Sequence, residues 1–138
     1  MLPLRHVRVW RVASVILTML VLAATLMPAF WFFDDKRSAL VWFHHADKWL
    51  HALTFVTLTI WYAGLYRRRS YWRVAVGLMA FGFLIEFCQL LVSYRTADWV
   101  DIAANAAGII TGLLIAIAGA GGWCLRVEEW HAARYSGS

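Results

Sequence analysis

The residues of this chain that could do chemistry are few and fall at helical intervals. Asp47 and His51 stand four apart, neighbours on one helix face that Phe55 continues, with Lys48 beside them. Glu86 and Gln89, three apart, form a second group. Arg95 and Asp98 follow. Asp98, Asp101 and Asn105 then recur at spacings of three and four, and Gly108 and Gly112 extend their stripe. A carboxylate inside an apolar run, as Glu86 is, suits ligand binding or general acid–base work, with His51 as a second proton carrier and Asp101 to orient it. Lys48 and Arg95 carry the charge to hold an anionic group such as phosphate.

Each of these residues also has a plainer reading. Asp98 and Asp101 suit a helix N-terminus, where the macrodipole favours acids. Asn105 and Gln89 suit hydrogen bonding between helices, Glu86 a structural ion pair, and Lys48 and Arg95 a charge that snorkels to headgroups. His44, His45, Asp47 and His51 offer ligand atoms at short spacing, but adjacent histidines share one tetrahedral site poorly and no H-E-x-x-H pattern is present, so no metal or other cofactor is expected. There is no G-x-S-x-G elbow, phosphate-cradling glycine loop or C-x-x-C.

The elements that must position these residues are membrane helices. Of 138 residues, 62% are apolar and 15% charged, well below the quarter a soluble surface needs, and mean hydropathy is +0.63. The apolar residues form blocks at 12–33, 49–66, 74–92 and 99–125. The first runs 22 residues without a charge, about 33 Å of helix, enough for a hydrocarbon core of about 30 Å. Pro28 ends or bends it. Arg5, Arg8 and Arg11 ahead of it have the look of a signal-peptide n-region, but the run exceeds the roughly 7–15 residues of an h-region and no small-x-small site follows, so a retained span is expected.

Nine of the 13 Lys and Arg residues (Arg5, Arg8, Arg11, Arg67, Arg68, Arg69, Arg73, Arg126 and Arg134) fall on one side of such a four-span chain, against Lys36, Arg37, Lys48 and Arg95 on the other. The positive-inside rule places the nine in the cytoplasm. The expected fold is therefore all-α: a four-helix transmembrane bundle with both termini cytoplasmic, residues 1–11 and 126–138 flanking a membrane domain at 12–125. That distribution also explains the net charge of +5 without nucleic acid as a partner. The segment 34–46 reads as an interfacial loop, the polar tail 126–138 as partly disordered, and the glycines of 119–122 as the fraying end of the last span. Cys88 and Cys124 read as ordinary buried thiols at different depths. All the polar groups named above then converge on the outer leaflet.

In the order and spacing of these residues the chain resembles the VanZ-like family across roughly residues 10–118. The matching features are Pro28, Asp47-Lys48-x-x-His51-x-x-x-Phe55, Ile85-Glu86-x-x-Gln89, Arg95, Asp98, and Asp101-x-x-x-Asn105-x-x-Gly108-x-x-x-Gly112. The resemblance implies a protein of the bacterial cell envelope, in the plasma membrane. The family is named for a membrane protein associated with resistance to the glycopeptide teicoplanin. Three functions compete at this point. The first is an outer-leaflet site binding a lipid, a lipid-linked envelope precursor or a lipoglycopeptide, lined by Asp47, Lys48, His51, Glu86, Gln89, Arg95, Asp98, Asp101 and Asn105. The second is an enzyme acting on such a lipid through Glu86, His51 and Asp101. The third is a structural latch in a protein that works through partners or as a homo-oligomer.

Overall fold

The computed structural model describes residues 1–26, 36–91 and 99–135, with backbone alone for 36–47 and 135. Every regular element among the described residues is helical: α1 (Val7–Leu26), α2 (Lys36–Leu65), α3 (Tyr71–Leu90), α4 (Trp99–Ile115) and α5 (Trp123–Tyr135). A 3-10 turn, Arg68–Ser70, joins α2 to α3, and a π turn, Ala116–Ala120, ends α4. Three stretches among the described residues are long and apolar enough to cross a membrane: Val7–Leu26, Arg68–Leu90 and Trp99–Arg134. The protein is an all-helical membrane protein.

The bundle is built around α2. Phe55, Leu58, Thr59, Ala63 and Leu65 of α2 are all about fully buried, enclosed by the other helices, whereas α1 buries only Ser14. The main apolar core joins Phe55 and Leu58 to Val74, Leu78 and Ile85 of α3 and Ile109 of α4. The exposed side of α1 is apolar, with Val12, Val15, Ile16, Met19 and Leu20 all uncovered, as a lipid-facing helix requires. Without a hydrophobic drive between helices inside lipid, polar contacts tie α1 on. Trp61 Nε1 donates to Ser14 Oγ at 2.9 Å, and the Thr18 and Tyr62 hydroxyls share a hydrogen bond of 2.7 Å.

Three expectations from the sequence are corrected. Over residues 36–46 the supposed interfacial loop is instead the opening of α2, which runs on without a break to Leu65. The glycines at 119–122 do not mark fraying. Gly119 and Gly122 take φ of 146° and 70°, values that favour glycine, and turn the chain sharply. The Gly122 amide donates to Ala63 O at 3.1 Å, which pins the turn to α2, while Arg126 donates to the carbonyls of Gly119 and Gly121 at 3.0 and 3.1 Å.

The tail is the third correction. As far as Tyr135 it is the helix α5, which folds back on the N-terminal segment. Gly64 gives Trp123 and Cys124 room against α2, and Trp10, Trp61 and Trp123 meet edge to face with centroids 5.4–5.9 Å apart. Buried Glu128 accepts hydrogen bonds from the amides of Arg5 (2.6 Å) and His6 (2.9 Å) and from Trp10 Nε1 (2.9 Å). It thereby caps α1, whose own first turn has no acid. Burial pushes the Glu128 carboxyl up, but the three N–H donors and nearby His6 outweigh it and hold the group below the usual carboxylate range. A depressed folded value stabilises the protein above the unfolded value, and that stability is lost as pH falls through the folded one. Glu128→Gln, which turns an amide NH2 towards one of the donors, is expected to cost about 1–2 kcal/mol at neutral pH. In thermal unfolding of the detergent-solubilised protein, the gap from wild type should close as pH falls below the ordinary glutamate value of about 4.3 towards the lower folded one. A gap constant with pH would contradict the ionised cap.

Candidate functional site

The cluster forms where α3 ends and α4 begins. Glu86 stands four residues before Leu90, about 6 Å of rise from the end of α3. Asp101 is in the first turn of α4, and Asn105 follows one turn on. His51 enters from α2. All four are at least nine-tenths buried, with exposures of 4% for His51 and Glu86, 5% for Asp101 and 0% for Asn105.

Local sequence explains the convergence. In α4 the stripe Asp101, Asn105, Gly108 and Gly112 is buried throughout, while Trp99, Val100, Ile110 and Leu114 face outward. Gly108 lies against Ala52 and Phe55 of α2, and Gly112 against Val56 and Thr59. Two glycines one turn apart bring the two backbones close, and that close approach carries Asn105 to His51 one turn farther along. In α3, Gly82 is one turn before Glu86 and leaves space for the Asn105 amide and the Phe55 ring. Gly82 is a site residue that the sequence reading missed. Its signal was present: a glycine four positions before an intramembrane carboxylate marks the face that another helix approaches.

His51 Nδ1 and Asn105 Oδ1 are 3.1 Å apart. With Asn105 presenting its oxygen, Nδ1 is the donor of this hydrogen bond. One ligand atom from each of His51, Glu86 and Asp101 lies within 4.8 Å of the other two. Two ionised carboxylates at that separation repel by about 3 kcal/mol at an effective dielectric of ~20, so the arrangement calls for positive charge or a shared proton. The positive N-terminal end of α4 partly supplies it to Asp101.

The other residues expected at the site divide. Gln89 is buried, and its Nε2 donates to Thr25 O of α1 at 3.0 Å, so its amide joins α3 to α1. Lys48, the first residue of α2 whose side chain is described, is half-buried. Asp47 belongs to the α2 backbone with its side chain outside the described residues, and Arg95 and Asp98 lie outside them altogether. The carboxylate–imidazole group differs from the His44, His45, Asp47 and His51 set weighed from sequence. It draws on three helices and shares only His51 with that set. Cys88 and Cys124 are both free thiols.

The family model described as VanZ/LLP1 matches residues 6–120, most of the chain and every residue of this cluster. The chain belongs to the VanZ/LLP1 family. No curated protein and no solved structure matches it. In this VanZ/LLP1 chain, then, the buried cluster draws on α2, α3 and α4, the three helices that carry the main core, with α1 attached at their side.

Proposed function

We propose that this VanZ-like protein crosses the bacterial plasma membrane four times, with both termini in the cytoplasm. Its cluster would hold the headgroup of an amphipathic envelope lipid or lipid-linked precursor in the outer leaflet. The observation that carries this reading is the burial, at one end of the bundle, of His51, Glu86, Asp101 and Asn105 from three helices. Intramembrane ionisable groups are costly, and a bundle that needed only packing would fill this position with apolar residues. Hydroxyls and amides of a headgroup would bond to Glu86, Asp101 and His51. Lys48 and Arg95, at the outer end in this topology, would take an anionic part. The exposed apolar faces would accommodate the tail, and a lipoglycopeptide has the same amphipathic form. The basic-residue count supports the orientation: nine cationic residues cluster on the side of α5 and the α2–α3 turn.

Native mass spectrometry of gently purified wild type beside Glu86→Gln tests the reading. A discrete lipid or lipid-linked mass on wild type, absent from the variant, is the expected result. Wild type carrying only bulk phospholipid would sink it. A second reading, an enzyme on the same lipid class, is favoured by the close approach of one imidazole and two carboxylates, a set able to pass protons. It requires Glu86→Gln to abolish turnover of the lipid so identified while still binding it.

A further inference from the structure

We propose that His51, Glu86 and Asp101 form a divalent-cation site within the membrane bundle. The inference stands on the cluster's own donors and holds whichever lipid the protein meets. One imidazole nitrogen and two carboxylate oxygens, from α2, α3 and α4, already lie within 4.8 Å of one another. A four-coordinate ion with bonds of about 2.0–2.2 Å spaces its ligands about 3.4 Å apart. Closing the set to that spacing takes at most about 1.4 Å per pair.

The donors are of mixed hardness. Imidazole suits Zn2+ and its first-row neighbours, while carboxylates also suit Mn2+. The charges balance as well: one dication cancels two carboxylates at a depth where uncompensated charge is costly. Burial separates this group from the acidic patches that decorate protein surfaces, since each of the three residues is at most 5% exposed. A further feature is one that metal sites share. His51 Nδ1 is hydrogen-bonded to the fully buried Asn105 side chain, which fixes the ring and directs the other nitrogen. Metal-bound histidines are oriented in this way by an outer partner.

The test uses the full chain in detergent, stripped with a chelator, desalted, and titrated with ZnCl2 or MnCl2 alone. Elemental analysis and calorimetry should find one Zn2+ or Mn2+ per chain, with a raised unfolding temperature. Uptake should fall at least tenfold in Glu86→Gln and in Asp101→Asn, and should persist in His44→Ala/His45→Ala. Wild type that takes up neither ion overturns the proposal. So does a full equivalent bound by either carboxylate variant with a wild-type helical circular dichroism spectrum, or loss of that equivalent in folded His44→Ala/His45→Ala.

A carboxylate variant that failed to fold would lose metal trivially, so His51→Cys provides a gain of signal. With Co2+ it should show a thiolate-to-metal charge-transfer band that wild type, with Cys88 and Cys124 alone, lacks. Absence of that band in folded His51→Cys overturns the assignment.

Discussion

Gly108→Ala is expected to destabilise the bundle by roughly 3 kcal/mol, a large effect for one methyl group. A Cβ at this position would run into the Ala52 carbonyl oxygen and lie 2.9 Å from Phe55 Cβ and 3.1 Å from the Ala52 carbonyl carbon. Backbone cannot rotate aside as a side-chain end can, so α2 and α4 must separate. Gly112→Ala meets Thr59 Cβ at 2.6 Å and Cγ2 at 2.9 Å, with Val56 O at 3.0 Å, and should cost a similar amount. Gly77→Ala is the control. Nothing lies within 4 Å of its added Cβ, and alanine is the better helix former by up to about 1 kcal/mol, so that variant should match or exceed wild type. Thermal unfolding in one detergent measures all three. A Gly108→Ala protein as stable as Gly77→Ala would show that the α2–α4 seam is looser than its glycines imply. Separation of the seam should also reach the cluster, because Asn105 and Asp101 stand one and two turns beyond Gly108. Ligand or metal binding should fall with stability in Gly108→Ala and stay intact in Gly77→Ala.

The same seam shows why part of this site was legible in the sequence. Asp101, Asn105, Gly108 and Gly112 keep a helical period across about three turns, so their shared face could be read directly, and all four are buried. Glu86 and Gln89 were likewise readable as one face of α3, and both are buried. Periodicity could not say which neighbour each would meet. Gln89 bonds to Thr25 of α1, whereas Glu86 joins His51 and Asp101. Partners across helices depend on rotation and crossing, which no local pattern encodes.

The cytoplasmic end in the proposed topology was illegible for a similar reason. Glu128 accepts from the Arg5 amide across 123 positions, and an acid in a polar tail gives no local sign of a helix start so far away. Trp10, Trp61 and Trp123 lie far apart in the sequence, and only folding brings them into one cluster. The start of α2 was misread because its polar and histidine-rich turns break the apolar run, yet backbone hydrogen bonding carries the helix through them.

His51→Leu is expected to cost about 3–5 kcal/mol in metal-free protein, the most of any change in the cluster. It removes an imidazole that lies within 4.8 Å of both carboxylates and also strands Asn105, which is fully buried. Asn105→Leu has nearly the same shape, so packing against Gly82 and Phe55 survives and the cost is that of a buried imidazole deprived of its hydrogen bond, about 2 kcal/mol. The double variant separates the two roles of His51. It leaves no stranded amide, so it should be more stable than His51→Leu by roughly 1 kcal/mol, because removing both partners of a hydrogen bond costs less than removing one. It should nevertheless stay clearly below Asn105→Leu, since the carboxylates of Glu86 and Asp101 still lack the imidazole. Thermal unfolding of the four proteins in one detergent gives the cycle. A double variant equal to Asn105→Leu would mean that His51 serves only Asn105, and the carboxylates would then need another explanation for sharing its corner of the bundle. The expected order, with the double variant between the two singles, instead makes the imidazole the hinge between the glycine-packed seam and the charged centre beside it.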